Sequence, residues 1–307
     1  MKHTHTGENR ELWMMGHLNE CLNVRGLDMS LKGSAIHTEH QLVPHAMVQA
    51  KPSQLERRLM MTNAFEKFGI KHLSASSLNL YTAQPSLWVG KYLLKWKDEV
   101  GAGAWRGSAV EAGINLALYD FEATLEQCHS KALELFEKDA MGDCDEKVDK
   151  ERASILPMLE QAIPVYREAG KPVRTQKKIL TWIDGVDVPL IGFVDYEYTT
   201  SLNDLKTTHR IPSKPSPAHC AQVAIYEKAT GKKPSLTYVS TKKTATYEVE
   251  DIEEHWQQVV RSAKAIQTLL TRSETGREAL EIFSPDFSSF YWSEQTKQNA
   301  TEALIYV

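Results

Sequence analysis

The chain has 307 residues, of which 42% are apolar and 25% charged, with a formal net charge of −4. This is the balance of a globular protein, and it argues against a general nucleic-acid coating protein while leaving room for a local basic groove. The four cysteines, Cys21, Cys128, Cys144 and Cys220, are far apart and form no CxxC pair, which fits reduced thiols rather than a disulfide framework or a zinc knuckle.

Residues 1–55 are rich in His, Thr, Asn and Gly without a sustained period, so a loosely ordered leader is expected, with one short helix near Glu11–Cys21. Met1–Arg10 is polar where a signal peptide would be apolar, and the longest apolar runs, such as Leu116–Leu118, are too short to span a bilayer. A cytoplasmic protein without a membrane partner is expected, or one of the host cytoplasm if phage-encoded.

The remainder, 56–307, reads as one domain. Leu55, Leu59, Met60 and Phe65 are spaced for a helix over Ser53–Phe68. Ser74 or Ser76 is placed to cap a helix carrying Leu78 and Tyr81, with a break at Pro85 before Trp88 and Tyr92. Gly101–Gly103 reads as a turn, and helices are expected over Trp105–Asp120, Glu122–Lys138 and Asp145–Ala169. The β-branched and aromatic segments Val173–Trp182, Val188–Thr199 and Leu202–Thr207 then predict a meander, with turns at Asp184–Gly185 and Ser201–Asn203. A helix over Ser216–Thr230 ends at Gly231, strands follow at Ser235–Ser240 and Thr244–Val249, and Asp251–Arg272 closes the pattern as a C-terminal helix. This order predicts an α/β domain around a central mixed sheet flanked by helices.

The segment most suggestive of chemistry runs from Gly192 through Asp195 to Asp204, Lys206 and Thr207. Alternation puts Asp204 and Lys206 on one face of a strand, with Leu205 turned into the core, and a tight turn brings Asp195 beside Asp204. Two adjoining carboxylates stay ionised at neutral pH only around a cation, and oxygen ligands suit Mg²⁺ or Mn²⁺. A neighbouring lysine can orient water and offset charge on a phosphorane-like transition state. Ser108, Glu111 and Asn115 form a thin polar stripe on an apolar helix, and a salt bridge to Arg106 or a helix N-terminal charge preference is the plain structural role for Glu111. His219, Gln222 and Tyr226 share a helix face, as an ordinary amphipathic boundary or as support for the lysine.

Five segments in order carry a resemblance. Ser74-Ala-Ser-Ser-Leu-Asn-Leu-Tyr81, Arg106-Gly-Ser108, Gly192-Phe-Val-Asp195, Asp204-Leu-Lys-Thr207 and Gln222-Val-Ala-Ile-Tyr226 resemble the motifs of the PD-(D/E)XK nuclease superfamily. The similar branch is that of RecB-type nuclease domains, CRISPR-associated adaptation nucleases and phage exonucleases, and the match covers about residues 73–250. The resemblance implies a restriction-endonuclease-like core and Mg²⁺-dependent hydrolysis of DNA. It implies Glu111, Asp195, Asp204 and the Leu205 carbonyl as metal ligands, Lys206 as catalytic lysine, and Gln222 with Tyr226 in support. Arg106, Ser108, His209, Arg210, Lys214, Lys91 and Lys95 are then candidate DNA contacts, and Trp88 or Tyr92 could stack on a base if not used in the core.

There are departures. Glu111 stands where the branch often has His, Val194 replaces the superfamily proline, Gln84 rather than cysteine precedes Pro85, and no cysteine follows Cys220, so no iron–sulfur cluster is expected. The expected activity is exonucleolytic trimming of DNA ends, leaving 5′-phosphates, in recombination, repair or phage DNA metabolism, with a recombinase or single-strand annealing protein as candidate partner. The alternative is a catalytically inactive nuclease fold that holds DNA for such a partner. An RNA-processing nuclease ranks lower, because nothing reads a 2′-hydroxyl.

Overall fold

Asn63 accepts the N–H of Phe65 at 2.9 Å and opens a single helical turn, α1 (Ala64–Lys67). A computed structural model describes residues 63–97, 100–142 and 145–305, which belong to one compact unit. The leader, the helix near Glu11–Cys21 and the first part of the helix expected over Ser53–Phe68 lie outside the described residues. That last helix does not run unbroken to Phe68, because Asn63 is a cap with non-helical backbone (φ −49, ψ 123).

Side-chain caps set several of the other helix starts. Ser74 and Ser77 exchange hydrogen bonds of 3.2 and 3.0 Å in a capping box that opens α2 (Ala75–Ala83), and Pro85 occupies the first turn of α3 (Pro85–Tyr92). Gly101 is the N-cap of α4 (Ala102–Tyr119), so the segment expected as a Gly101–Gly103 turn is the start of the helix. Thr124 and Gln127 box the start of α5 (Leu125–Ala140), and Asp145 caps α6 (Glu146–Ala169) through Val148 N–H at 2.7 Å.

Five strands follow: β1 (Arg174–Thr181), β2 (Leu190–Glu197), β3 (Ser201–Thr207), then, after helix α7 (Pro217–Thr230), β4 (Lys233–Val239) and β5 (Thr244–Glu248). They form one mixed sheet in chain order, antiparallel except where α7 carries the chain across from β3 to a parallel β4. The turn between β2 and β3 falls at 198–200, not at Ser201–Asn203, which are already strand residues. Helix α8 (Ile252–Arg272) is not the last element: α9 (Gly276–Glu281) and α10 (Glu294–Ile305) follow it. Trp292, between them, donates to Gln84 Oε1 at 3.0 Å and ties the C-terminal segment to α3.

Helices cover both faces. One core holds Leu78 of α2, Val194, Leu202, Leu236, Val223 of α7 and Ile266 of α8; the other holds Val110 and Ile114 of α4, Phe136 of α5, Leu159 of α6, and Tyr196, Leu205 and Val239 of the sheet. Helix α4 has little polar face because it is packed on several sides, and a Cβ on Gly113 would lie 2.9 Å from the Cys128 carbonyl of α5 and 2.7 Å from Leu159 of α6. No helix among the described residues is long and apolar enough to cross a membrane.

Two irregularities in the sheet build the site. The pairing of β2 with β3 consists of Tyr196↔Asn203 and Glu197↔Leu202 only, and beyond it the strands diverge. At the far end of β2, Leu73 takes the place β3 has left, bonding Pro189 O (2.9 Å) and Ile191 N (2.8 Å). The second irregularity is a change of face. Val194 belongs to the α7-side core and Tyr196 to the α6-side core, although residues two apart in an unbroken strand share a face. Their β1 neighbours behave alike: Thr175 bonds Tyr119 of α4, whereas Ile179 packs on the α7 side. Both strands switch across the rung of Gln176 and Asp195, where Gln176 adopts left-handed backbone (φ 49) and ladder pairing skips from Thr175↔Tyr196 to Lys177↔Val194.

Candidate active site

The fork between β2 and β3 is where the acidic side chains meet. Asp195, released from the regular alternation, lies in the plane of the sheet, and its Oδ2 accepts the Leu205 N–H at 2.8 Å. A carboxylate thus does what a main-chain carbonyl of β2 would do had the strands stayed paired. Asp204, 1% exposed, points to the α7 side with Lys206, whose Nζ is 2.6 Å from Asp204 Oδ2. Glu111 enters from α4 on the other side of the sheet, and Gln176 Nε2 donates to Glu111 Oε1 at 2.6 Å and to Asp195 Oδ1 at 3.0 Å.

Helix α7 braces this cluster. Gln222 Oε1 accepts from Lys206 Nζ at 3.0 Å, while its amide nitrogen donates to Asp204 Oδ1 (3.1 Å) and Tyr226 OH (2.6 Å). Tyr226 OH in turn donates to the Phe193 carbonyl at 2.7 Å, so the chain of contacts closes on β2. His219, on the same helix, bonds Tyr238 OH through Nδ1 (2.7 Å); burial and then the charge of Lys206 push its pKa down to about 4.

The electrostatics are those of crowded acids. Burial pushes the Asp195 carboxyl well above the usual carboxylate range, and the charges of Asp204 and Glu111 push it further; Lys206 and the Leu205 N–H offset only part of this. Glu111 is raised by burial and by Asp204, against hydrogen bonds from Gln176 and Asn115. Asp204 is raised by burial despite Lys206. Among the described residues, no group of three or more His, Cys, Asp and Glu side chains stands ready to hold a metal ion. The Gln176 amide and the Lys206 amine lie among the three carboxylates instead. The donors are nonetheless all oxygen, mutually repelling and largely withdrawn from water, which fits a hard divalent cation.

The sequence-derived DNA contacts are spread more widely. Arg106 is 6% exposed and pairs with the buried Glu151, leaving Glu111 without the partner expected for it; Arg106 also reaches Thr207 (3.3 Å) and His209 Nε2 (3.2 Å). His209 bonds Glu151 Oε1 at 3.0 Å, while Arg210 and Lys214 are exposed on the loop after β3, and Ser108 is exposed on α4. Lys91 and Lys95 are exposed at and just beyond the end of α3, and Lys95 Nζ bonds Tyr92 O at 2.8 Å. Trp88 is fully buried and stacks on Tyr92, a core role.

Sequence reasoning missed Gln176 and Glu151. Glu151 did leave a signal, since it occupies a helical position in line with Val148, Ser154 and Ile155, all buried. Gln176 left none, because nothing in Thr-Gln-Lys foretells a positive φ.

The chain therefore belongs structurally to the α/β proteins, with a five-stranded mixed sheet between helical layers and a carboxylate–lysine cluster at a strand fork. No family model matches it, and no curated protein does. Among solved structures it is similar to the crystal structure of SSO0001, at 15% identity over 70% of this chain and 82% of that chain, with a TM-score of 0.31. A likeness that low carries no argument about fold or chemistry.

Proposed function

We propose that this chain is a Mg²⁺-dependent DNA nuclease with a restriction-endonuclease-like core, acting as an exonuclease on DNA ends. The observation that carries the proposal is the convergence of Asp195, Asp204 and Glu111, from two strands and a helix, beside the Lys206 amine. Three acids with raised pKa values are costly to bury together unless a cation is part of the working state.

Glu111, Asp195, Asp204 and the Leu205 carbonyl are the groups that would hold Mg²⁺ or Mn²⁺. Such an ion, when bound, polarises a phosphoryl oxygen and lowers the pKa of water. The chain's own residues supply the rest. Lys206, partly open to solvent and held between Asp204 and Gln222, offers an ammonium that can orient the attacking water and offset charge on the phosphate. Gln222 and Tyr226 are positioning residues, which fix the lysine and Asp204 through hydrogen bonds anchored on Phe193. Asp195 is fixed by the Leu205 N–H, so the two strands of the fork cannot shift independently of the acids.

The test is incubation of the purified protein with 5′- and 3′-labelled linear, circular and single-stranded DNA, with Mg²⁺ or with EDTA. The expected result is degradation of linear DNA that EDTA abolishes and that Asp204→Ala removes without changing the circular dichroism spectrum. Binding without metal-dependent cleavage of any DNA form would replace this function with that of an inactive nuclease fold that holds DNA for a recombinase or annealing protein.

A further inference from the structure

Among the described residues, Gln176 is the only non-glycine residue within a β-strand that has a positive φ. Left-handed backbone is unfavourable for a side chain of this kind and persists only where its surroundings over-determine it. Here the strain coincides with placement. The switch of face at the Gln176–Asp195 rung leaves the carboxamide at the acids, and its one nitrogen donates to Glu111 Oε1 at 2.6 Å and Asp195 Oδ1 at 3.0 Å.

Two carboxylates directed at one point ordinarily need positive charge between them. An amide NH₂ carries two donor hydrogens, which can serve two separate acceptors. Glu111 and Asp195 come from different elements, α4 and β2, and the Gln176 amide is the hydrogen-bonded link between them.

We propose that Gln176 is a positioning residue that latches the metal site: its amide holds the Glu111 and Asp195 carboxylates and competes with a divalent cation for them. This rests on the metal-dependent nuclease assignment. The latch keeps the two acids together in the absence of the ion, at the expense of affinity for it. Loading then requires the amide to be displaced, and a DNA phosphate that adds oxygen donors favours that displacement. Metal and DNA therefore bind with positive cooperativity, and the free protein holds the ion weakly.

The experiment is isothermal titration of the full chain with MnCl₂, in the absence of DNA, for the wild type, Gln176→Gly, Gln176→Ala and Asp204→Ala. Gln176→Gly tolerates the left-handed backbone and so secures a folded variant, which thermal melting checks. Both Gln176 variants are expected to bind Mn²⁺ at least about tenfold more tightly than the wild type, because the two hydrogen bonds that compete with the ion are gone. Asp204→Ala is expected to lose the binding, which places it at this cluster. Wild-type binding with equal or weaker binding by both Gln176 variants overturns the latch and leaves the nuclease assignment standing. No binding by the wild type or by either Gln176 variant removes the metal-dependent assignment and the latch with it.

Discussion

Gly192 lies against the ring of Tyr226 so closely that a Cβ at position 192 would sit 2.9 Å from Tyr226 Cε1. The glycine of the G-x-x-D segment is thus needed for space rather than for backbone freedom. It lets α7 approach β2 until the tyrosine hydroxyl reaches the Phe193 carbonyl. Gly192→Ala is expected to destabilise the fold by about 1–3 kcal/mol through overpacking and to lower activity by displacing Tyr226. Urea denaturation and turnover of labelled linear DNA check both parts.

Tyr226→Phe keeps the ring and removes only the hydroxyl between Gln222 and Phe193. Because Gln222 orients both Lys206 and Asp204, kcat should fall about 10- to 100-fold, the usual effect of losing a partner of a ligating group. KM should change little, since the hydroxyl is engaged within the protein. A rise in KM at constant kcat would show that Tyr226 binds substrate instead.

The buried Arg106–Glu151 pair calls for an asymmetric outcome. Glu151→Ala strands the guanidinium in the core and should cost about 3–5 kcal/mol. Replacing both, Arg106→Met with Glu151→Leu, should recover most of that loss, which denaturation of the three proteins measures. If the double variant is stable yet binds DNA like the wild type, Arg106 serves the structure rather than a phosphate.

Asp195→Asn removes one of the crowded charges and keeps an oxygen for the Leu205 N–H, while an amide NH₂ replaces the Oδ1 that accepts from Gln176. The Asp195 pKa is raised on folding, so the folded state holds its proton more strongly than the unfolded one. That contribution to stability is complete below the unfolded pKa and is lost as pH rises through the folded value. In EDTA, Asp195→Asn should therefore lose less stability than the wild type as pH is raised to about 8. Mg²⁺ should stabilise the wild type and not the variant. Thermal melts with and without Mg²⁺ decide this.

His219 gives the opposite sign. Its folded pKa is depressed to about 4, so the unfolded chain takes up the proton first as pH falls. Stability due to neutral His219 is present above about pH 6.5 and declines between there and about pH 4. His219→Gln should flatten that part of the stability–pH curve, as measured by urea denaturation at pH 7, 6 and 5. A wild-type slope retained in the variant would assign the acid sensitivity to other groups.

Much of the layout was legible in the amino acids themselves. Ser74, Pro85, Asp145, Ser216 and Gly231 mark helix ends through their own side chains or backbone preferences, and β-branched and aromatic runs give the strands, whereas the helix expected from Glu122 starts only at Leu125, after the Thr124 cap. Asp204, Leu205 and Lys206 follow from the same rule, because strand alternation is a local property: the acid and the amine fall on one face, and the leucine on the other. The Gln222–Tyr226 pair, four apart on a helix, is local in the same sense.

What only tertiary structure decided is everything that depends on broken periodicity or on distant packing. The β2–β3 turn fell at 198–200 because the hydrogen-bonded register there is set by packing on both sheet faces, not by the polar residues that suggested Ser201–Asn203. Arg106 found Glu151 rather than Glu111, since a buried guanidinium pairs with whichever carboxylate the adjoining helix brings beside it. Most telling is Gln176, whose amide joins Glu111, 65 residues before it, to Asp195, 19 residues after. A left-handed residue in a strand is paid for by contacts made across the whole domain, and no window of sequence around it contains them.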